Sequence, residues 1–146
     1  MKFNELKVGM VLSHPSVTVD KQEMLEFSRK YDPQWFHVDE ERADQGRWEG
    51  LIGSGWMTCS IAMRMAVTAV LHDSDSFGSP GLENLRWLAP VRPGDSLRLE
   101  ATIDSKRISS TRPDLGILRW TWRLFNQHEV QVLEVEAVNL FELAED

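Results

Sequence analysis

The sequence of 146 residues predicts an α+β fold in which a curved antiparallel sheet wraps one central helix. Three observations lead there. Residues 56–71 are apolar around most of a helical circumference and contain no Gly or Pro, as expected of a buried helix. From Leu82 onward the hydrophobic pattern changes to period two and stays there, the spacing of strands. Ahead of the helix stand a short extended stretch and one amphipathic helix, with no internal repeat and no linker composition, so residues 1–146 read as one domain.

In chain order, Val8 to Val19 contains Gly9 and Pro15 and reads as a turn followed by an extended segment. Asp20 is placed as a helix N-cap, with Glu23 at the capping-box position and Met24, Phe27 and Tyr31 recurring at helical spacing. Pro33 ends that helix, because the residue before a proline disfavours helical dihedrals. Residues 32–55 then form a polar, aromatic, glycine-bearing loop, long enough to suggest a binding role, with a short helix over Asp39 to Asp44 capped by Asp39. Ser54 is the expected N-cap of the long helix Trp56 to Leu71. Residues 73–81 read as a loop by composition. Strands follow over Leu82–Trp87, Ser96–Arg107, Leu115–Phe125 and Val130–Phe141. The first is stopped at Pro90, Pro93 and Gly94, and the last two are joined by the Asn126–Glu129 turn.

With 42% apolar and 27% charged residues the composition is that of an ordinary globular protein. A formal charge of −7 gives an average field that repels nucleic acid and anionic membranes. A local basic patch can still hold an anionic small molecule, since screening erases charges beyond roughly 8 Å at physiological salt. Residues 1–7 hold no apolar core of signal-peptide length, and Arg64 interrupts the longest apolar segment short of a bilayer span, so a cytoplasmic protein off the membrane is expected. The single cysteine, Cys59, fits a reducing compartment, and the scattered His14, His72 and His128 have no metal-ligand spacing.

The chemistry-bearing segment is Tyr31-Asp32-Pro33-Gln34-Trp35-Phe36-His37, followed by Gly50-Leu51-Ile52-Gly53-Ser54-Gly55-Trp56 at the entry to the long helix. Together with the stretch from Gly81 to Asp95, which ends in Pro-Gly-Asp, these motifs resemble the MaoC-like dehydratases, a family that includes the (R)-specific enoyl-CoA hydratases. The resemblance runs from about Val8 to Phe141 and rests on the order of the pieces more than on any one of them.

That resemblance implies a hot-dog fold and a hydro-lyase that reversibly adds water to a trans-2-enoyl-CoA or related acyl thioester, giving the (R)-3-hydroxyacyl product. The CoA thioester enters as substrate, and neither a metal nor a redox cofactor is implied. The family's catalytic pair falls at Asp32 and His37, and the backbone N–H that polarises the thioester carbonyl falls at Gly55. Gln34, Trp35, Ser54 and Trp56 are the expected substrate-binding residues, and Trp35, Phe36, Trp48 and Trp56 an apolar acyl pocket. Elementary chemistry agrees: a histidine beside a carboxylate can share a water and move its proton near neutrality, and helix N-terminal N–H groups face a developing oxyanion. Two neighbours depart from common family patterns. Many hydratases carry Asn followed by Pro where this chain has Gln34-Trp35, and His-Gly where it has Ser54-Gly55.

Other readings are weaker. A hot-dog thioesterase needs a carboxylate on the central helix, and residues 56–71 contain no Asp or Glu. A non-catalytic acyl-CoA binding protein is supported by the departures at Gln34 and Ser54 and opposed by the retained pair. Arg64, in the middle of an apolar helix, must be paired or reach solvent, and is expected in a salt bridge across a dimer contact. Members of the family usually pair as dimers, so a homodimer or an assembly of dimers is expected. Arg86, Arg92, Arg107 and Arg112 are candidates to meet a CoA phosphate.

Overall fold

The computed structural model describes residues 1–144; the last two residues of the expected domain lie outside the described residues. A single 3-10 turn, Phe3–Glu5, leads into β1 (Val11–Thr18), α1 (Lys21–Tyr31), α2 (Trp35–Val38), α3 (Glu40–Asp44) and α4 (Gly55–Ala66), which continues as a π-helical turn over Val67–Leu71. Five strands complete the described residues: β2 (Ser76–Gly78), β3 (Leu82–Trp87), β4 (Ser96–Ile108), β5 (Leu115–Phe125) and β6 (Gln131–Glu142). All pairings are antiparallel, in the order β1-β4-β5-β6, with β2 and β3 both on the far side of β6.

The period-two pattern of the sequence is realised literally. Leu97, Leu99, Ala101 and Ile103 of β4 all point into the core, and Leu118, Trp120, Trp122 and Leu124 do the same from β5. Val135 and Phe141 of β6 belong to the same cluster as Met57, Ala62, Met65, Ala66 and Val70 of the central helix. One sheet face therefore closes around α4, the hot-dog arrangement expected from the sequence. Burial of these side chains, at roughly 1.5–3 kcal/mol each, is the main term holding the helix in the sheet. Of the two indole N–H groups sunk among them, Trp120 Nε1 donates to Asn139 Oδ1 at 3.0 Å, while Trp122 Nε1 has no partner among the described residues.

Several expectations are adjusted. The long helix is not uniform, because its last turn is wound as a π-helix, and it is not buried all round, since Trp56, Ser60, Met63, Arg64 and Thr68 are exposed. Arg64 thus meets its solvation requirement at an exposed helix face and has no ion-pair partner among the described residues. The segment read as a loop before β3 contains the short strand β2, and the long loop contains α2 as well as α3. Ser54 stands at the N-cap position of α4, yet its side chain makes no capping bond, for a reason that lies in the site.

Candidate active site

Asp32 and His37 are set by the way α1 ends. The Asp32 N–H still donates to Ser28 O at 2.9 Å, but its own backbone has left the helix, as Pro33 requires. Gln34 then opens α2, a single turn that carries His37 back toward the core. This turn is tied to the strand-like segment before α4, Ile52 N donating to Phe36 O at 3.2 Å, while Gly53 N donates to Val91 O at 2.7 Å. Asp39 takes the N-cap role expected of it: its side chain accepts from Arg42 N and caps α3.

The imidazole is fixed at both nitrogens. Nδ1 stands 2.8 Å from Ile52 O, which can only accept, so Nδ1 donates; Nε2 is left facing Asp32 Oδ2 at 3.1 Å. His37 is 5% exposed, and the Phe36 ring covers it with centroids 4.3 Å apart. Asp32 also accepts from Ser54 Oγ at 2.8 Å on Oδ2 and from Gln34 Nε2 at 2.8 Å on Oδ1. Burial pushes the Asp32 carboxyl upward, but the hydrogen bonds from Gln34 and Ser54 and the adjoining imidazole outweigh it, and the net effect is to hold Asp32 below the ordinary carboxylate value.

These groups stand at one wall of a cavity of about 460 Å³ whose other walls are Trp48, Trp56, Trp87, Leu88, Val91 and Val132. Asp32 and His37 are its only titratable lining groups among the described residues. The N-terminus of α4 opens onto it. Gly55, as the first residue of that helix, has an N–H without an intrahelical acceptor, at the positive end of the helix dipole.

Of the residues expected at the site, the fold brings together Asp32, Gln34, His37, Gly55 and Trp56 around the cavity. Ser54 is fully buried behind Asp32 and does not line it; its hydroxyl is turned to donate to the carboxylate, and in that orientation it makes no capping bond. Trp35 is turned away. Its ring lies under the Arg42 guanidinium at 4.3 Å and over Gly46, where a Cβ would come within 2.8 Å of it. Of the expected aromatic pocket, Trp48 and Trp56 line the cavity and Phe36 serves as backing for His37.

Trp87 is the residue that the sequence did not bring forward. It ends β3, meets Trp56 edge-on at 5.3 Å, and packs so closely on Gly55 that a Cβ there would lie 2.3 Å from its ring. The freedom of Gly55 is thus used to admit an indole. Only the register of β3 on β6 carries Trp87 to this place, and no periodicity within the strand announces it. Among the arginines considered for a phosphate, Arg86 precedes the lining residue Trp87, Arg92 follows Val91 and donates to Trp48 O, and Arg112 is engaged with Asp114.

The family model for the MaoC-like domain matches residues 4–115. The chain belongs to the MaoC-like dehydratase family. It is 33% identical over 136 residues to the uncharacterized protein YdeM of Bacillus subtilis, covering 93% of this chain and 95% of that one. The crystal structure of a MaoC-like dehydratase from Rhodospirillum rubrum superposes with a TM-score of 0.91 at 32% identity, over 100% of this chain and 99% of the other. The (R)-hydratase PhaJ1 of Pseudomonas aeruginosa shares the fold at 22% identity, with a TM-score of 0.76 over 97% of this chain and 85% of that one.

Proposed function

We propose that this protein is a hydro-lyase that adds water reversibly to a trans-2-enoyl thioester, giving the (R)-3-hydroxyacyl product, with acyl-CoA as substrate. The observation that carries the proposal is the Asp32–His37 pair, at 3.1 Å, on the wall of a cavity lined mainly by apolar side chains, into which a helix N-terminus opens. Hydration of a conjugated thioester needs those three elements. Asp32 and His37 hold a water, take its proton as the oxygen bonds to C3 of the enoyl group, and return a proton to C2 as the C2=C3 π bond is lost. The charge that develops on the thioester oxygen is met by the Gly55 N–H at the positive end of α4. The indoles of Trp48, Trp56 and Trp87 give the acyl chain an apolar surface that excludes bulk water.

Membership in a dehydratase family supports the reaction class, and the likeness in fold to an (R)-hydratase supports the stereochemistry. The central helix supplies no carboxylate for thioester hydrolysis, since Gly55 to Leu71 contains no Asp or Glu. The working form proposed is a homodimer. β3 pairs with β6 on one side only among the described residues, and Leu82, Trp87 and Leu88 stand exposed along and beyond it. No helix of the described residues is long and apolar enough to cross a membrane.

The test is incubation with trans-2-enoyl-CoAs of graded chain length, following loss of the enoyl absorbance and resolving the product on a chiral column. An (R)-3-hydroxyacyl product is expected; an (S) product, or free CoA released by hydrolysis, would contradict the proposal.

A further inference from the structure

Asp32 is held from two sides by residues at which this chain departs from common family patterns, Gln34 and Ser54. A carboxylate has about four lone-pair positions, two on each oxygen. On Oδ2 both are used, one by the Ser54 hydroxyl at 2.8 Å and one by the contact with His37 Nε2 at 3.1 Å. On Oδ1 one is used, by the Gln34 amide at 2.8 Å. A single position on Oδ1 is left, and Asp32 lines the cavity. His37 Nδ1 lies 2.8 Å from the Ile52 carbonyl, which orients the ring so that Nε2 faces Oδ2.

We propose that Ser54 and Gln34 are positioning residues, which hold Asp32 as an oriented carboxylate and leave one lone pair of Oδ1 to receive the water of the hydration step. It rests on the hydratase proposal for the identity of that step, and on the contacts alone for the clamp. The two side chains were expected to bind substrate, but Ser54 is fully buried and has no face on the cavity. The direction of the Asp32 pKa agrees, because donors to the charged form favour it. No other charged side chain lines the cavity among the described residues, so the groups that face the pair are Gln34, Ser54, the Ile52 carbonyl and the Phe36 ring.

The experiment compares wild type with Ser54→Ala, Gln34→Ala and Gln34→Glu in two readouts: kcat and KM on an enoyl-CoA, and the pH titration of the Asp32 carboxyl carbon by 13C NMR. A hydrogen bond to a charged group supports a loss of about 10–100-fold in kcat for Ser54→Ala, with KM held within about twofold. The Asp32 titration should move upward in Ser54→Ala and Gln34→Ala, and furthest in Gln34→Glu, which sets a second carboxylate against the first while keeping the shape of the side chain. Gln34 is exposed, so its variants keep the test open if Ser54→Ala does not fold. A rise in KM with kcat retained, or an Asp32 titration unmoved in the Gln34 variants, would overturn the clamp. Should the wild type turn over no enoyl-CoA, the hydratase proposal falls, while the titration still decides the clamp.

Discussion

His37 Nε2 stands 3.1 Å from Asp32 Oδ2, with the opposite ring nitrogen anchored 2.8 Å from the Ile52 carbonyl. Neither residue can turn without breaking a bond to a different element, so α1, α2 and the entry to α4 are locked together at the place where the chemistry is proposed. That lock, and the core behind it, have measurable consequences.

The first concerns acid stability. Asp32 is held below its ordinary value of 3.8 in the folded chain, so its ionisation adds stability that is fully present above the unfolded value and is lost as pH falls through the lowered folded one. Thermal unfolding of wild type and Asp32→Asn, compared from pH 7 down to pH 2, should therefore show the stability gap shrinking below about pH 4. Asp114 and Glu129 are lowered too, by Arg112 and Arg98, but remain in both proteins and cancel in the comparison. A gap that widens toward low pH would contradict the assignment.

The second concerns the seat of Trp87. A methyl group at position 55 would lie 2.3 Å from the Trp87 ring, so Gly55→Ala must displace the indole or the start of α4. Overpacking of this kind costs about 1–3 kcal/mol. In a Trp87→Ala background the same substitution should cost much less, and denaturant unfolding of the four proteins in a double-mutant cycle measures the difference. Equal costs in both backgrounds would mean that Trp87 is not what confines Gly55.

The third separates two buried tryptophans on one strand. Trp120 Nε1 donates to Asn139 Oδ1, whereas Trp122 Nε1 is buried with no partner among the described residues. Trp120→Phe leaves the Asn139 oxygen bare and should cost about 1–3 kcal/mol for the lost bond, in addition to the ring's packing. Trp122→Phe removes an unpaired donor and should cost less. Denaturant midpoints of the two variants give the order directly.

Much of the architecture is legible in the sequence because side chains alternate between core and surface along most of β4 and in parts of β5. β5 is bounded by the residues that the period-two pattern marks, Leu115 and Phe125, and β3 by Leu82 and Trp87. The Asp20 and Asp39 caps are equally local features, written within three residues. What the sequence hides is whatever depends on distance along the chain. α2 is one turn long and too short for a helical period to show, although it carries His37. Ser54 fits an N-cap by type, but Asp32, 22 residues earlier, competes for its hydroxyl and wins. Trp35 has the composition of a pocket residue and is claimed by Arg42 through a cation–π contact at 4.3 Å. Trp87 reaches the cavity through the pairing of β3 with β6, a register that no short window contains.

The exposed edge of β3 leads to a prediction about assembly. Light scattering at micromolar concentration should give twice the chain mass of 16.8 kDa, or a multiple of that dimer. A mass of one chain would mean that Leu82 and Trp87 face solvent in the working protein.

The hydration of a trans-2-enoyl-CoA by wild type, Asp32→Asn and His37→Ala, read as loss of enoyl absorbance, bears most directly on the whole account. Wild-type turnover is expected, with each substitution lowering kcat/KM by about 10²–10⁴-fold, the usual contribution of a positioned acid or base. Turnover that survives both substitutions, or none by the wild type on any chain length, would contradict a site built on Asp32 and His37.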